Sequence, residues 1–164
     1  MIFLTTGSEL PFNRLVRAVD MWCATKGRSD VIGQLGRLGP DDHQPAHFQW
    51  HAFLAPDEYN RLFAEAEVIV AHAGMGSIIS ALTLSKPILM LPRLARLNET
   101  RNDHQVATLR RFVEREGVYG AETEEEIPAL LDRILGSDLV SSDRKISSYA
   151  DEAFTGALRT FLLS

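Results

Sequence analysis

Apolar positions along the chain come in two rhythms that alternate. Ile2-Phe3-Leu4 is a short unbroken run that stops at Gly7, as a strand buried on both faces of a parallel sheet would. Pro11 then suits a first helical turn, and Phe12, Leu15, Val16, Val19, Trp22 and Cys23 recur at helical spacing until Gly27. Residues 30–35 predict a second strand, 36–45 a Gly/Pro/Asp-rich loop, and 48–54 a third strand. Pro56 opens a short helix carrying Tyr59, Leu62, Phe63 and Ala66. Val68-Ile69-Val70-Ala71 is another buried strand, followed at once by His72-Ala73-Gly74-Met75-Gly76-Ser77 and a helix with Ile78, Ile79 and Leu82 inward.

The same alternation continues. Pro87 leads a strand over 88–91, and 93–101 reads as a polar loop. Residues 102–116 predict a helix with Val106, Leu109, Phe112 and Val113 on one face, and Val118-Tyr119 a last short strand. Thr123 with Glu126 three positions on has the form of a capping box, opening a helix that uses Ile127, Leu130, Leu131, Ile134 and Leu135. Ile146, Tyr149, Ala150, Ala153, Phe154, Ala157, Leu158, Phe161 and Leu162 repeat at 3 and 4, a clean amphipathic stripe to be buried on the parent domain or on a partner. Strands alternating with helices predict an α/β fold, a parallel sheet with helices on both faces.

Length and composition narrow the class. At 164 residues the chain is one domain with a small appendage, and 45% hydrophobic with 24% charged residues is a globular balance. A net charge of −5 argues against general nucleic-acid binding. Cys23 is alone, so an intrachain disulfide and a Cys-based zinc site are excluded. No apolar run approaches the roughly 20 residues of a membrane span, and the opening lacks the basic region of a signal peptide, so a cytoplasmic location is expected.

Candidate chemistry lies at the carboxyl ends of the strands, where open α/β sheets bind ligands. Two glycine turns fall there, Thr5-Thr6-Gly7-Ser8 and the segment from His72 to Ser77. Backbone N–H groups at such turns, with a helix N-terminus behind them, suit a diphosphate, and Ser8 and Ser77 add hydroxyls. Two ordinary tight turns would look the same. Neither is a G-x-G-x-x-G or a P-loop. His72 reads as a packed ring or as a catalytic group. Asn102, Asp103, His104 and Gln105 either cap a helix or reach sugar hydroxyls. Arg93, Arg96 and Arg101 make a basic loop, either solvated or in contact with phosphate. His43, His47 and His51 read as surface residues, Asp41-Asp42-His43 is weak as a metal site, and the acids at 122, 124, 125 and 126 suit a helix start.

Three motifs in register resemble a known family. The segment Thr6-Gly7-Ser8-Glu9-Leu10-Pro11-Phe12-Asn13-Arg14-Leu15-Val16-Arg17-Ala18-Val19-Asp20, the turn His72-Ala73-Gly74-Met75-Gly76-Ser77 and Arg101-Asn102-Asp103-His104-Gln105 are similar to the C-terminal, donor-binding half of glycosyltransferase family 28. The resemblance covers residues 1 to about 120. It is closest to the soluble subunits of two-component bacterial exopolysaccharide enzymes, counterparts of the catalytic subunit of the dolichol-linked GlcNAc transferase. It implies one half of a GT-B fold, taken as a Rossmann-like domain over residues 1–140, while the amphipathic stripe makes 141–164 an appended helix. It also implies a UDP-sugar donor as substrate, a lipid-linked sugar acceptor, inversion at the anomeric carbon and a membrane-anchored partner chain that binds the acceptor. The chain would then sit peripheral to the inner membrane through that partner.

The resemblance assigns roles residue by residue. Gly7 and Ser8 would line the cleft near the phosphates, Phe53 and Leu54 would lie at the uracil, and Gly74, Met75, Gly76 and Ser77 would donate to the diphosphate, with His72 behind that loop. Asn102, Asp103 and Gln105 match the motif that grips the donor sugar. No metal or other cofactor is expected, since helix dipoles and N–H groups neutralise the diphosphate in this fold. Many members carry a ribose-gripping Glu where this chain has Ser80, which implies weaker ribose recognition. The general base is not evident. It comes from the partner, or from His72 or His104. A non-catalytic nucleotide-binding regulatory or scaffold module is the alternative that Ser80 favours. A hydrolase is disfavoured because Gly74-Met75-Gly76-Ser77 is no G-x-S-x-G elbow.

Overall fold

The computed structural model describes residues 1–7 and 10–136. Its core is a six-stranded sheet of β1 (Ile2–Thr5), β2 (Val31–Gln34), β3 (Gln49–His51), β4 (Val68–His72), β5 (Ile88–Leu91) and β6 (Val118–Gly120). All neighbours are parallel and the order is β3-β2-β1-β4-β5-β6. The chain builds outward from β1 in one direction and then from β4 in the other. The switch point therefore falls between β1 and β4.

Alternation along the strands divides the core between two faces. Ile2, Leu4, Val68, Val70, Leu89 and Leu91 face α1 (Asn13–Lys26) and α5 (Ile127–Gly136), packing on Leu15, Val19, Trp22, Leu131 and Ile134. Phe3, Ile69, Ala71, Ile88 and Met90 face α2 (Pro56–Glu65), α3 (Met75–Thr83) and α4 (His104–Phe112), packing on Leu62, Phe63, Ile78, Ala81, Leu109 and Phe112. Both stripes are continuous because apolar side chains leave water on both sides of the sheet. Gly27 ends α1 in the left-handed conformation at φ 63°, its N–H donated to the Cys23 carbonyl.

Several expectations shift in detail. The strand expected over 48–54 is only β3, and Phe53 beyond it is exposed. The helix expected over 102–116 is α4, which is shorter at both ends. The chain has to reverse before β6 and does so in a turn closed by Arg115 N–H to Phe112 and Val118 N–H to Arg115, with Gly117 at φ 77°. Val113 is therefore exposed, and Gln105 takes a buried place on α4 instead. On α3, Ala81 is buried beside Ile78, while Ile79 and Leu82 are half-buried.

The capping box does not form. Thr123 makes no side-chain cap, and Glu126 instead accepts the Glu122 N–H at 3.2 Å across a single 3-10 turn, Glu124–Glu126. That turn sets the first residues of α5 off the reciprocal geometry a capping box needs. Among the described residues, no helix is long and apolar enough to cross a membrane. The amphipathic stripe from Ile146 to Leu162, and with it the 141–164 appendage, lies outside the described residues.

Candidate functional site

A cleft of about 550 Å³ opens at the carboxyl end of the sheet over the switch point. Thr5, Thr6 and Gly7 after β1 form one wall, and His72, Gly74, Met75, Gly76, Ser77 and Ser80 after β4 the other. Gln34 and Tyr59 close one end, and Arg93, Thr100, His104 and Gln105 the other.

The two glycine turns are built around His72. Gly7 has φ 80°, a conformation that favours glycine, and a Cβ there would lie 2.9 Å from His72 Cε1. A Cβ on Gly74 would overlap Nε2 of the same ring. Both glycines are thus needed to admit one imidazole between β1 and β4. Gly76, by contrast, has nothing within 4 Å of a Cβ position, so its missing side chain leaves open space beside the cleft.

The N-terminus of α3 faces this space. Its N-cap is Gly74, with no side-chain cap. The first-turn N–H groups of Met75, Gly76 and Ser77 have no acceptor within the helix, and the helix dipole adds partial positive charge there. Across the cleft, Thr6 is 1% exposed and its Oγ1 has no hydrogen-bond partner among the described residues. The cleft therefore offers donors to an anionic or hydroxyl-bearing ligand.

Residues singled out in the sequence distribute unevenly. Gly7, His72, Gly74, Met75, Gly76, Ser77, Ser80, His104 and Gln105 meet at the cleft. Phe53 and Leu54 do not line it. Phe53 is 53% exposed beyond β3, and the Leu54 N–H is donated to Gln34 Oε1 at 2.9 Å. Asn102 and Asp103 stand just before α4, outside the lining. Asn102 Oδ1 meets the His104 N–H at 3.2 Å and the His104 ring, and Asp103 Oδ1 accepts the Ala95 N–H at 2.9 Å. Gln105 is buried, its Oε1 accepting the Arg93 N–H at 3.1 Å. Ser8 lies outside the described residues.

Arg93 is neither solvated nor an open phosphate ligand. It is 3% exposed, and its guanidinium lies 4.5 Å over the Phe12 ring. It donates to the carbonyls of Thr6 at 2.8 Å, Pro11 at 3.1 Å, Glu99 at 3.3 Å and also Leu10. Arg14 gives Glu99 a bidentate contact with both bonds at 2.8 Å, and it reaches Glu124 at 2.7 Å and the Pro92 carbonyl at 3.0 Å. Burial works against the Arg14 charge, but its bonds to Glu99 and Glu124 hold its pKa above the ordinary value. Glu124 is held below the usual carboxylate value: burial raises it, and the Arg14 bond, a backbone hydrogen bond and the nearby Arg14 and Arg96 charges together outweigh burial.

His43 and His47 are also more than surface residues. Their rings meet the Asp20 carboxylate at 2.9 and 3.2 Å. Asp20 further accepts the N–H groups of Ala46 at 3.1 Å and His47 at 2.9 Å, which fastens the loop after β2 onto α1. Asp42 is committed to Asn13 at 2.8 Å and the Gly39 N–H at 2.7 Å. Among the described residues, no group of three His, Cys, Asp or Glu is placed to hold a metal ion.

A parallel sheet of this order defines a doubly wound α/β domain, with the cleft at the switch point where such sheets bind their ligands. The model for the glycosyltransferase family 28 C-terminal domain matches residues 1–154, and the chain belongs to that family. Among solved structures it is similar to ALG13, determined by NMR, at 20% identity and TM-score 0.61, covering 99% of this chain and 96% of that one. It is also similar to MurG of Acinetobacter baumannii at 15% identity and TM-score 0.65, covering 98% and 49%. The glycotransferase of kitacinnamycin matches at 19% identity and TM-score 0.61, covering 99% of this chain and 39% of its own. The chain thus spans less than half of these last two proteins. A search among curated proteins gave no match. The fold is one half of a GT-B glycosyltransferase.

Proposed function

We propose that this chain is the donor-binding half of an inverting UDP-sugar glycosyltransferase. A separate membrane-anchored chain supplies the other half and binds the lipid-linked sugar acceptor, in exopolysaccharide biosynthesis. What carries the reading is the uncapped N-terminus of α3, open on the cleft beside two glycine turns. In it, the N–H groups of Met75, Gly76 and Ser77 receive the diphosphate. The α3 dipole then stabilises the charge that develops on the departing UDP, with no metal required. Thr6 Oγ1 and Ser80 add hydroxyls along the walls. The separate partner is what the resemblance to the soluble subunits of two-component enzymes implies.

The acceptor hydroxyl needs a base. Among the described lining residues none carries a carboxylate, and the imidazoles are His72 and His104. His72 is wedged between the glycines, which suits a supporting role, so we assign the base to the partner chain. The same lack of a carboxylate favours a second reading, a nucleotide-binding regulatory or scaffold module without transfer activity. Calorimetric titration with UDP, set against ADP and GDP, tests both. Selective UDP binding is expected, and indifference to all three sinks both readings for the isolated chain. Turnover of a UDP-sugar by the reconstituted pair separates the enzyme from the scaffold.

A further inference from the structure

We infer that residues 92–100 form a strap locked across the end of β4, with Arg93 and Arg14 as the positioning residues that set the width of the cleft for a nucleoside diphosphate. The inference rests on the donor-site reading above. Arg93 follows β5, and among the described residues three of the four carbonyls it reaches, on Thr6, Leu10 and Pro11, follow β1. In the sheet, β4 lies between those strands. The bonds therefore pass over the carboxyl end of β4, where His72 and the turn into α3 stand. The fourth acceptor, the Glu99 carbonyl, folds the strap back on itself.

A second lock holds the far end. The Glu99 carboxylate takes Nε and Nη2 of Arg14 on α1 and also accepts the Leu94 N–H at 3.0 Å. From the same strap, the Arg93 and Ala95 N–H groups reach Gln105 and Asp103 at the start of α4. One segment thus fixes the first glycine turn, the entry to α4 and their distance from the α3 N-terminus. A planar five-donor fork can gather four carbonyls, whereas a lysine ammonium has three donors and no fork. A diphosphate that bonds both walls at once loses hydrogen bonds when the walls move apart, and each one lost costs about 2- to 10-fold in affinity.

The test uses the full chain with Arg93→Lys and Glu99→Gln, and Arg61→Ala on the exposed face of α2 as control. Amide exchange and UDP titration are both read. Arg93→Lys is expected to speed exchange at Thr6, Gly7, Leu94 and Leu97 while Val70 and Ala71 in β4 stay protected. Glu99→Gln should do so at Leu94 and Leu97 alone. UDP affinity should fall about 10- to 100-fold in both, the worth of one or two lost hydrogen bonds, and the control should match wild type. Wild-type affinity in Arg93→Lys would make the residue a charge donor and overturn the strap. Loss of protection throughout β1 and β4 would make Arg93 a core residue, and Glu99→Gln then decides whether the strap stands. Absence of UDP binding by the wild type removes the donor-site reading, and local loosening in the exchange data would still uphold the strap.

Discussion

The Nε2 atom of His72 occupies the place that a Cβ on Gly74 would need. The second glycine turn is therefore tied to the last residue of β4 by packing as well as by any ligand. Gly74→Ala is expected to destabilise the domain by ~1–3 kcal/mol, the usual cost of overpacking. In a His72→Ala background the same change should cost much less, because the ring is gone. Urea denaturation of the four proteins in a double-mutant cycle measures the coupling. Strict additivity would show that the ring yields freely and that the glycine answers only to the ligand.

Gly76 gives the opposite outcome. No atom lies within 4 Å of its Cβ position, and it sits in the first turn of α3. Gly76→Val should leave stability within about 0.5 kcal/mol of wild type. It should nevertheless abolish UDP binding, because the new side chain fills the approach to the helix N-terminus. Wild-type-like affinity in that variant would remove this turn from the diphosphate site.

The sequence showed the parts of the site that are local. Short apolar runs ending in glycine marked β1 and β4, and glycine after a strand signals a backbone that must be approached closely, here by His72. Arg93 was not legible in this way. Its acceptors on Thr6, Leu10 and Pro11 lie more than 80 residues away, so in the sequence it was one of three arginines in a polar loop. Asp20 was missed for the same reason. Its one trace is that an acid stands between the buried positions Val19 and Trp22, on a stripe where an exposed charge has no place. Thr123 and Glu126 had the right spacing for a box, but spacing says nothing of the 3-10 turn that intervenes.

Thr6 separates binding from folding. Its buried Oγ1 lacks a partner among the described residues, and an unsatisfied buried hydroxyl costs ~1–3 kcal/mol. Thr6→Val should therefore be neutral or stabilise by up to about 1 kcal/mol. If the hydroxyl serves the ligand, UDP affinity should fall about 2- to 10-fold, the worth of one hydrogen bond. Thermal melts and calorimetry on one preparation decide it. A destabilised variant with unchanged affinity would assign the hydroxyl to the fold.

Asp20 makes the acid stability of the domain predictable. Burial alone raises its carboxyl, but the His47 N–H, the His43 ring, the Ala46 N–H and the His47 ring outweigh burial and hold it below 3.8. Its folded value is thus lower than its unfolded one, and the unfolded chain binds the extra proton between the two. The stabilisation is complete above about pH 4, where the unfolded carboxyl is also ionised, and is lost as pH falls through the folded value. Asp20→Asn keeps the shape but leaves one acceptor oxygen where there were two. It should cost ~1–3 kcal/mol near neutrality, the range for breaking a buried hydrogen-bonded group. The gap to wild type should then narrow as pH drops below about 4. Asp30, held at about 2 by its Arg28 bond, is present in both proteins and cancels in the difference. Denaturant titrations of the pair across that range read the difference directly. A gap that stays constant with pH would mean that Asp20 holds the loop after β2 by shape alone.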